Sequence, residues 1–199
     1  MRRREGAFAG DVADIEAYYR QGIQQLPLAL QGAEMPVIAA VNGPAIGAGC
    51  DLACMCDLRI GSSRTVFGET FVNLGIVPGD GGAWFLQRLL GHQRAAEMTF
   101  TGRLIEADEA LTIGLLLKVV KPEALMDSTL ELARTMAAKP PQALRYAKRL
   151  MKKAERMELA DYLDLSAVWQ GVCHKTDDHM EAVSAFIDKR PPVFKRPPE

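Results

Sequence analysis

The sequence lacks an excess of charge of either sign and lacks any long hydrophobic run. Its 199 residues carry 25 acidic and 24 basic side chains, for a formal net charge of −1. Because nucleic-acid binding needs a basic surface to neutralise phosphates, this balance argues against a nucleic-acid partner. No apolar run reaches the roughly 18 residues of a membrane span, so we expect no membrane insertion either. The 48% hydrophobic content is typical of an ordinary soluble globular protein.

Cysteine and histidine are scarce, with four and three residues respectively. Cys50, Cys54 and Cys56 are separated by three residues and by one residue, Cys173 is distant, and no pair of histidines lies nearby. This is not a metal-binding pattern, so we expect no metal and interpret the cysteines as reduced core thiols. Reduced thiols and the lack of an apolar leader segment predict a cytoplasmic protein.

Three well-known functional motifs are also missing. The stretch G-A-G-C-D-L at residues 47–52 lacks the third glycine of the dinucleotide fingerprint G-x-G-x-x-G, and no acidic residue ends a strand about twenty residues later. No glycine is followed by the Lys-Ser/Thr pair of a P-loop, and no G-x-S-x-G marks a serine nucleophile. These absences argue against nucleotide phosphate binding and against a serine triad.

Short strand-like runs alternate with helical patterns along the chain. The apolar runs V-I-A-A-V at residues 37–41 and L-L-L-K-V-V at residues 115–120 are typical of buried strands, as is the shorter run at residues 58–60. Apolar residues spaced by three and four predict one helix over residues 13–30. From Pro122 onward the pattern is helical. The sequence therefore predicts an α/β layer followed by a helical region.

A glycine turn between a strand and a helix stands out in the stretch P-A-I-G-A-G-C-D, residues 44–51. The helix is predicted to run from about Ala48 to Met55. The first N–H groups of a helix have no partner within it and the helix dipole favours negative charge there, so the turn suits an anion or a developing oxyanion. A tight turn with close packing would explain the small residues equally well, so the residues alone leave both interpretations open.

A longer stretch around this turn resembles a known family. Residues 35–91, which run from M-P-V-I-A-A-V-N-G-P to F-L-Q-R-L-L-G, are similar to the core signature of the crotonase (enoyl-CoA hydratase/isomerase) superfamily, and the similarity continues through residues 95–120 to 185–194. The resemblance implies an α/β fold in which a crotonase-like spiral of ββα/βαβ turns fills residues 1–138 and a helical trimerisation region fills residues 139–199. It also implies an acyl-CoA or enoyl-CoA substrate, coenzyme A as part of that substrate with no further cofactor, and a homotrimer or hexamer.

The resemblance also assigns an oxyanion hole. In that family two peptide N–H groups hold the thioester oxygen, and the second of them maps onto Ala48, with Gly47 and Gly49 leaving bare backbone for the substrate. The first comes from a motif of the kind A-F-x-A-G-x-D; G-A-F-A-G-D-V-A-D-I at residues 6–15 is one residue short of it, and Gly10 is the matched position. Family members carry further strands and helices before this motif, so we expect the N-terminal part of the fold to be missing or shortened.

The acid/base positions depart from the family pattern. Its hydratases use two glutamates to activate water and to protonate the α-carbon. The first maps onto Asp51 and the second onto Phe71, which cannot transfer a proton and is assigned to substrate binding instead. Asp80, in P-G-D-G-G, is the predicted second catalytic carboxylate, although Asp before Gly is also ordinary turn chemistry. Glu69 is expected to point elsewhere if its segment is helical.

Two positions near the C-terminus complete the predicted site. Phe186 and Lys189 match the place where family members bring an aromatic ring and a lysine to the adenine and phosphates of CoA, although a solvated tail is an equal alternative. The simplest predicted function is enoyl-CoA hydratase/isomerase. The alternatives are a crotonase-fold isomerase, decarboxylase or thioesterase without hydratase activity, and a non-catalytic acyl-CoA-binding protein.

Overall fold

The computed structural model describes residues 10–194, which divide into two compact units. The first unit consists of residues 10–33 and Val37–Thr129, and the second of Glu34–Pro36 and residues 130–194. Within the described residues, no helix combines the length and the apolar character that crossing a bilayer would require.

Two small sheets form the centre of the first unit. The first has the order β1-β3-β6 and is parallel throughout, with strands Ile38–Val41, Leu58–Ser62 and Lys118–Val120. The second has the order β2-β4-β5, with a parallel and then an antiparallel pairing of strands Pro44–Ile46, Val66–Gly68 and Leu104–Glu106. Its register places Ala45 opposite Phe67 and Phe67 opposite Ile105, so three buried side chains lie side by side across the sheet.

Helices cover these sheets and complete the core of the first unit. They are α1 (Val12–Gln21), α2 (Gln25–Gly32), α3 (Ala48–Met55), α4 (Gly82–Leu90), α5 (His92–Thr101) and α6 (Ala107–Thr112). Helix α4 packs against both α3 and α5. The core cluster includes Cys50 of α3, Leu86 of α4 and Met98 of α5, all fully buried together with Phe67. This packing fixes α3 and the turn that precedes it.

The second unit is helical. The boundary between the units falls within α7 (Leu125–Ala137), which is followed by α8 (Pro141–Ala154), α9 (Leu159–Cys173) and α10 (Asp177–Ile187). The Tyr146 ring of α8 stacks on Trp169 of α9 with a centroid distance of 5.1 Å. Lys148 of α8 is buried, and its ammonium group donates a hydrogen bond to the Met35 carbonyl at 2.7 Å. This bond offsets part of the cost of burying the charge.

Most predicted elements are present in the structure, and the differences lie in one helix and in several strands. Helix α3 has the predicted bounds, and the strands at residues 37–41 and 58–60 are present. The single helix over residues 13–30 is wrong, because the backbone leaves the helical conformation at Gly22 and a new helix starts at Gln25. Strands β2, β4 and β5 were not predicted; each has three residues, too few to show an alternating pattern. The strand predicted over residues 115–120 is present only over Lys118–Val120.

Candidate active site

The glycine turn connects the end of β2 to the start of α3. Gly47 has φ 55°, a left-handed value that favours glycine, and its N–H donates to the Gly68 carbonyl at 2.8 Å, which fixes the turn to the end of β4. Ala48 is the first helical residue and is exposed, and a Cβ added at Gly49 would meet nothing within 4 Å. The first backbone N–H groups of α3, which have no partner within the helix, therefore border open space.

Asp51 lies one helical turn further along α3 and is completely buried. Its N–H donates to the Gly47 carbonyl at 3.0 Å, so its backbone belongs to the first turn of the helix. Its carboxyl group lies against Gly82, the first residue of α4, so closely that a Cβ at that position would overlap it. The absence of a side chain at Gly82 therefore makes room for the Asp51 carboxyl between α3 and α4.

Asp51 shares this space with two further acids, and we call Asp51, Glu69 and Asp80 the carboxyl cluster. Glu69 follows directly after β4, Asp80 precedes α4 by two residues, and their exposures are 1% and 4%. Within the described residues, no N–H or hydroxyl group donates to either oxygen of Asp51 or Glu69, or to Oδ1 of Asp80. Asp51 is within side-chain hydrogen-bonding reach of both other acids, and such bonds require a proton between the two carboxyl groups.

Burial and these neighbours determine the protonation of the cluster. Burial, followed by the side-chain hydrogen bonds to Asp80 and Glu69, raises the pKa of Asp51 from 3.8 to about 11. Burial also raises the pKa of Glu69, although its hydrogen bond with Asp51 partly offsets that rise. The proton is thus held more strongly by Asp51. Asp51 is therefore a carboxylic acid near neutral pH, and it lies among further carboxyl groups of the kind that general acid/base catalysis uses.

Glu69 is the site residue that the sequence prediction missed. Glu69 was expected to point elsewhere if its segment were helical, but the segment is not helical there, because the 3₁₀ turn starts only at Phe71 and spans Phe71–Leu74. Glu69 instead continues the line of β4, on the same face as the fully buried Phe67 two residues earlier. The period-two relation between Phe67 and Glu69 was the available signal, since a charged residue on the buried face of a strand is uncommon without a function.

Phe71 lies near the turn and outside the carboxyl cluster. Its ring comes within 3.6 Å of the position that a Cβ would take on Gly47. The ring is half-buried and covers the backbone immediately before Ala48. Position 71 thus supplies an apolar wall beside the start of α3, and its contact with a substrate stays a prediction.

The remaining predicted residues lie elsewhere in the chain. Gly10 has φ 101° and precedes Asp11, whose side chain caps α1; residues 6–9 of its motif lie outside the described residues. Phe186 is 86% exposed on α10, and Lys189 follows that helix with φ 52°. Both belong to the second unit, and their role in binding CoA stays a prediction.

One group of potential metal ligands occurs among residues 10–194. The Cys50 sulfur and carboxyl oxygens of Asp51 and Glu69 lie within 4.8 Å of one another, all buried. The pKa of the Cys50 thiol is raised, first by its hydrogen bond with Cys54 and then by burial, and the pKa values of both acids are raised as well.

The sequence is similar to a known family of enzymes. A sequence profile described as enoyl-CoA hydratase/isomerase matches residues 6–197. The chain is 43% identical over 157 residues to the short-chain-enoyl-CoA hydratase of Clostridium acetobutylicum, covering 79% of this chain and 60% of that protein. It is 40% identical over 165 residues to the crotonyl-CoA hydratase of Syntrophomonas wolfei, covering 83% and 64% respectively.

The fold is also found in solved structures. The crystal structure of an enoyl-CoA hydratase from Bacillus anthracis superposes with a TM-score of 0.88 at 34% identity, covering 94% of this chain and 72% of that one. This likeness confirms the predicted fold class, an α/β part with a C-terminal helical region. The chain spans less than two thirds of the length of the two hydratases from Clostridium acetobutylicum and Syntrophomonas wolfei.

Proposed function

Because this chain belongs to the enoyl-CoA hydratase/isomerase family, which it matches over residues 6–197, we propose that it catalyses proton transfer at the α-carbon of an enoyl-CoA thioester. The observation that carries the proposal is the position of Asp51. It lies one turn from the exposed start of α3 and holds a raised pKa beside Glu69 and Asp80. A stabiliser of negative charge and a proton donor therefore lie on the same short helix.

The start of α3 is the proposed oxyanion site. The thioester oxygen would lie in front of the Ala48 N–H, where Gly49 leaves the backbone accessible, whereas Gly47 is buried against the Phe71 ring. The peptide N–H and the positive end of the helix dipole would stabilise the enolate oxygen as charge develops on it. Gly10 is the proposed source of the second N–H, as the family resemblance implies.

The carboxyl cluster supplies the acid and the base of hydration in this proposal. A carboxylate of the cluster takes a proton from water as the water oxygen bonds to the β-carbon. The carboxylic acid of Asp51 gives its proton to the α-carbon as the enolate collapses. The carboxylate gains one proton from water and Asp51 loses one to the α-carbon. Transfer of a proton from the first group to Asp51 then restores the starting state of the cluster. No redox or metal chemistry enters this scheme.

Double-bond isomerisation is a second candidate, and Phe71 favours it. A half-buried aromatic ring beside Gly47 makes the approach to Ala48 apolar, which disfavours a bound water at that point. Isomerisation needs no water: one carboxylate takes a proton from the α-carbon of a 3-enoyl-CoA, and the same proton returns to the γ-carbon. Asp51 and Glu69 suffice for that transfer.

Two substrates distinguish these candidates. Crotonyl-CoA reports hydration, and a 3-enoyl-CoA reports isomerisation to the 2-enoyl product. The proposal expects turnover of at least one, with a loss on the order of 100-fold in Asp51→Asn, since general acid/base groups contribute about 10²–10⁴-fold. Asp164→Asn, at an exposed site on α9, is the matched control and should leave the rate unchanged. Tight acyl-CoA binding without turnover of either substrate would contradict the proposal and favour a non-catalytic binder.

The predicted CoA contacts are also a proposal. We propose that Phe186 and Lys189 contact the adenine and phosphates of CoA.

We further propose that the protein is a homotrimer or hexamer. In support, the second unit exposes several large apolar side chains: Leu159, Leu163, Val168, Met180 and Phe186. Light scattering coupled to size-exclusion chromatography tests the oligomer. No disulfide joins the cysteines within residues 10–194, and Cys50 and Cys54 are buried, which supports a reducing compartment such as the cytoplasm.

A further inference from the structure

The loop that carries Asp80 has few anchors of its own. It leaves the 3₁₀ turn at Gly75 and crosses a stretch in which Ile76 and Val77 are exposed, the latter at 73%. Only at its end does the chain become buried, at Asp80. A loop of this kind is mobile unless other elements hold it, yet Asp80 must stay within reach of Asp51 for the carboxyl cluster to exist.

Two side chains of the α1–α2 hairpin hold this loop at Gly79, the residue before Asp80. The Gln24 amide Nε2 donates to the Gly79 carbonyl at 2.8 Å. The ring of Tyr19 lies against the Cα of Gly79, so that a Cβ there would come within 2.5 Å of Cε1 of the ring. We call Tyr19 and Gln24 the Gly79 clamp.

The clamp is itself a defined unit. The Gln24 N–H donates to the Tyr19 carbonyl at 3.1 Å, so the two residues are fixed to each other across the turn between α1 and α2. Both side chains are half-buried, whereas neither helix contains a fully buried residue. The contact with Gly79 is thus a major attachment of this hairpin as well as of the loop.

We propose that Tyr19 and Gln24 are positioning residues that hold the Asp80 carboxyl group in contact with Asp51. This inference rests on the proposed function for its catalytic consequence, although the anchoring itself does not. Neither side chain reaches the reacting atoms in this proposal; both act through the backbone of Gly79. Without the clamp, Asp80 would leave the buried carboxyl cluster, and Asp51 would lose one of its two acidic neighbours.

Neighbouring glutamines give a matched test. Gln25 donates from its own amide to the Arg20 carbonyl at 2.6 Å, so Gln25→Ala removes a similar bond without touching the loop. We expect Gln24→Ala and Tyr19→Ala to lower kcat on the order of 10-fold with KM changed less than twofold, because a misplaced group lowers the rate more than the affinity. Tyr19→Phe, which keeps the ring, should restore kcat, and Gln25→Ala should resemble wild type.

Amide hydrogen exchange measured by mass spectrometry tests the anchoring without activity. In full-length protein, exchange over residues 78–82 should be several-fold faster in Gln24→Ala and Tyr19→Ala than in Gln25→Ala. Unchanged exchange, or an equal loss of kcat in Gln25→Ala, would overturn the proposal. If wild type turns over no enoyl-CoA, the proposed function fails, and hydrogen exchange alone then tests whether the clamp holds the loop. If Asp80→Asn loses activity while both clamp variants keep theirs, the clamp proposal fails and the proposed function stands.

Discussion

The carboxyl groups of Asp51 and Glu69 lie within hydrogen-bonding reach of each other, although one belongs to α3 and the other follows β4. Neither side chain is more than 1% exposed. Two buried acids at this separation cannot both ionise easily, so they share a proton. The pair brings the end of strand β4 together with the first turn of helix α3, whose residues Ala48 and Gly49 are exposed.

Removing the Glu69 carboxyl should lower activity without unfolding the protein. Glu69→Gln keeps the shape of the side chain but can neither accept nor release a proton, so we expect kcat to fall about 10²–10⁴-fold. Enoyl-CoA turnover measures the effect. The control is Glu106→Gln, at an exposed glutamate that ends the neighbouring strand β5. Equal activity of the two variants would remove Glu69 from the mechanism.

Stability should depend on pH through Asp51. Its pKa is higher in the folded state, about 11 against 3.8, so the folded protein keeps a proton that the unfolded chain releases. The stability from this proton is complete below pH 3.8 and is lost as the pH rises toward 11, by up to ~1.4 kcal/mol per pH unit. Asp51→Asn has no such proton to lose. Its unfolding free energy relative to wild type, measured in urea at pH 6, 7 and 8, should increase with pH.

Adding a methyl group at Gly82 should disturb the cluster. The new Cβ would overlap the buried Asp51 carboxyl. We expect Gly82→Ala to lose about 1–3 kcal/mol of unfolding free energy, as overpacked cores do. Urea unfolding gives the value, and a variant as stable as wild type would show that the carboxyl can relocate.

Gly49→Ala, on α3, should affect substrate binding rather than stability. A Cβ at this position meets nothing within 4 Å, so stability should stay within about 1 kcal/mol of wild type or rise. The methyl group would however project into the space proposed for the thioester, so KM for the acyl-CoA substrate should increase several-fold. Steady-state kinetics measures this change, and an unaltered KM would place the substrate elsewhere.

Phe71→Ala should shift the balance between the two candidate reactions. Removing the ring beside Gly47 opens the approach to Ala48 and admits water. The ratio of crotonyl-CoA hydration to 3-enoyl-CoA isomerisation should therefore rise relative to wild type, and assays of both substrates on the same preparations give that ratio. A constant ratio would mean that Phe71 does not control water access.

Much of the site could be predicted from the sequence because it lies in one continuous stretch. Gly47 and Asp51 are four residues apart, so helix geometry alone places the turn and the acid on neighbouring turns. The family resemblance supplied the role of Ala48 and the departure at Phe71. The sequence predicts Asp80 as a second acid, and the structure places it buried, two residues before the Gly82 against which the Asp51 carboxyl lies.

Other features depend on packing that no local pattern encodes. Glu69 joins the cluster only because β4 pairs with β2 and brings its end beside the Gly47 turn. The break at Gly22 escaped notice because apolar residues on both sides keep the same helical spacing. The Gly79 clamp links residues 55 positions apart in the chain, a contact that periodicity cannot indicate.

Exchange of the α-protons of butyryl-CoA in D₂O tests most directly whether the carboxyl cluster transfers protons next to a thioester. Hydration and isomerisation both pass through this transfer, so the measurement does not depend on which of them the protein performs. Mass spectrometry of the recovered thioester should detect deuterium with wild type, and at least about 100-fold slower incorporation with Asp51→Asn. No incorporation with wild type, or an undiminished rate in the variant, would contradict a catalytic role for this cluster.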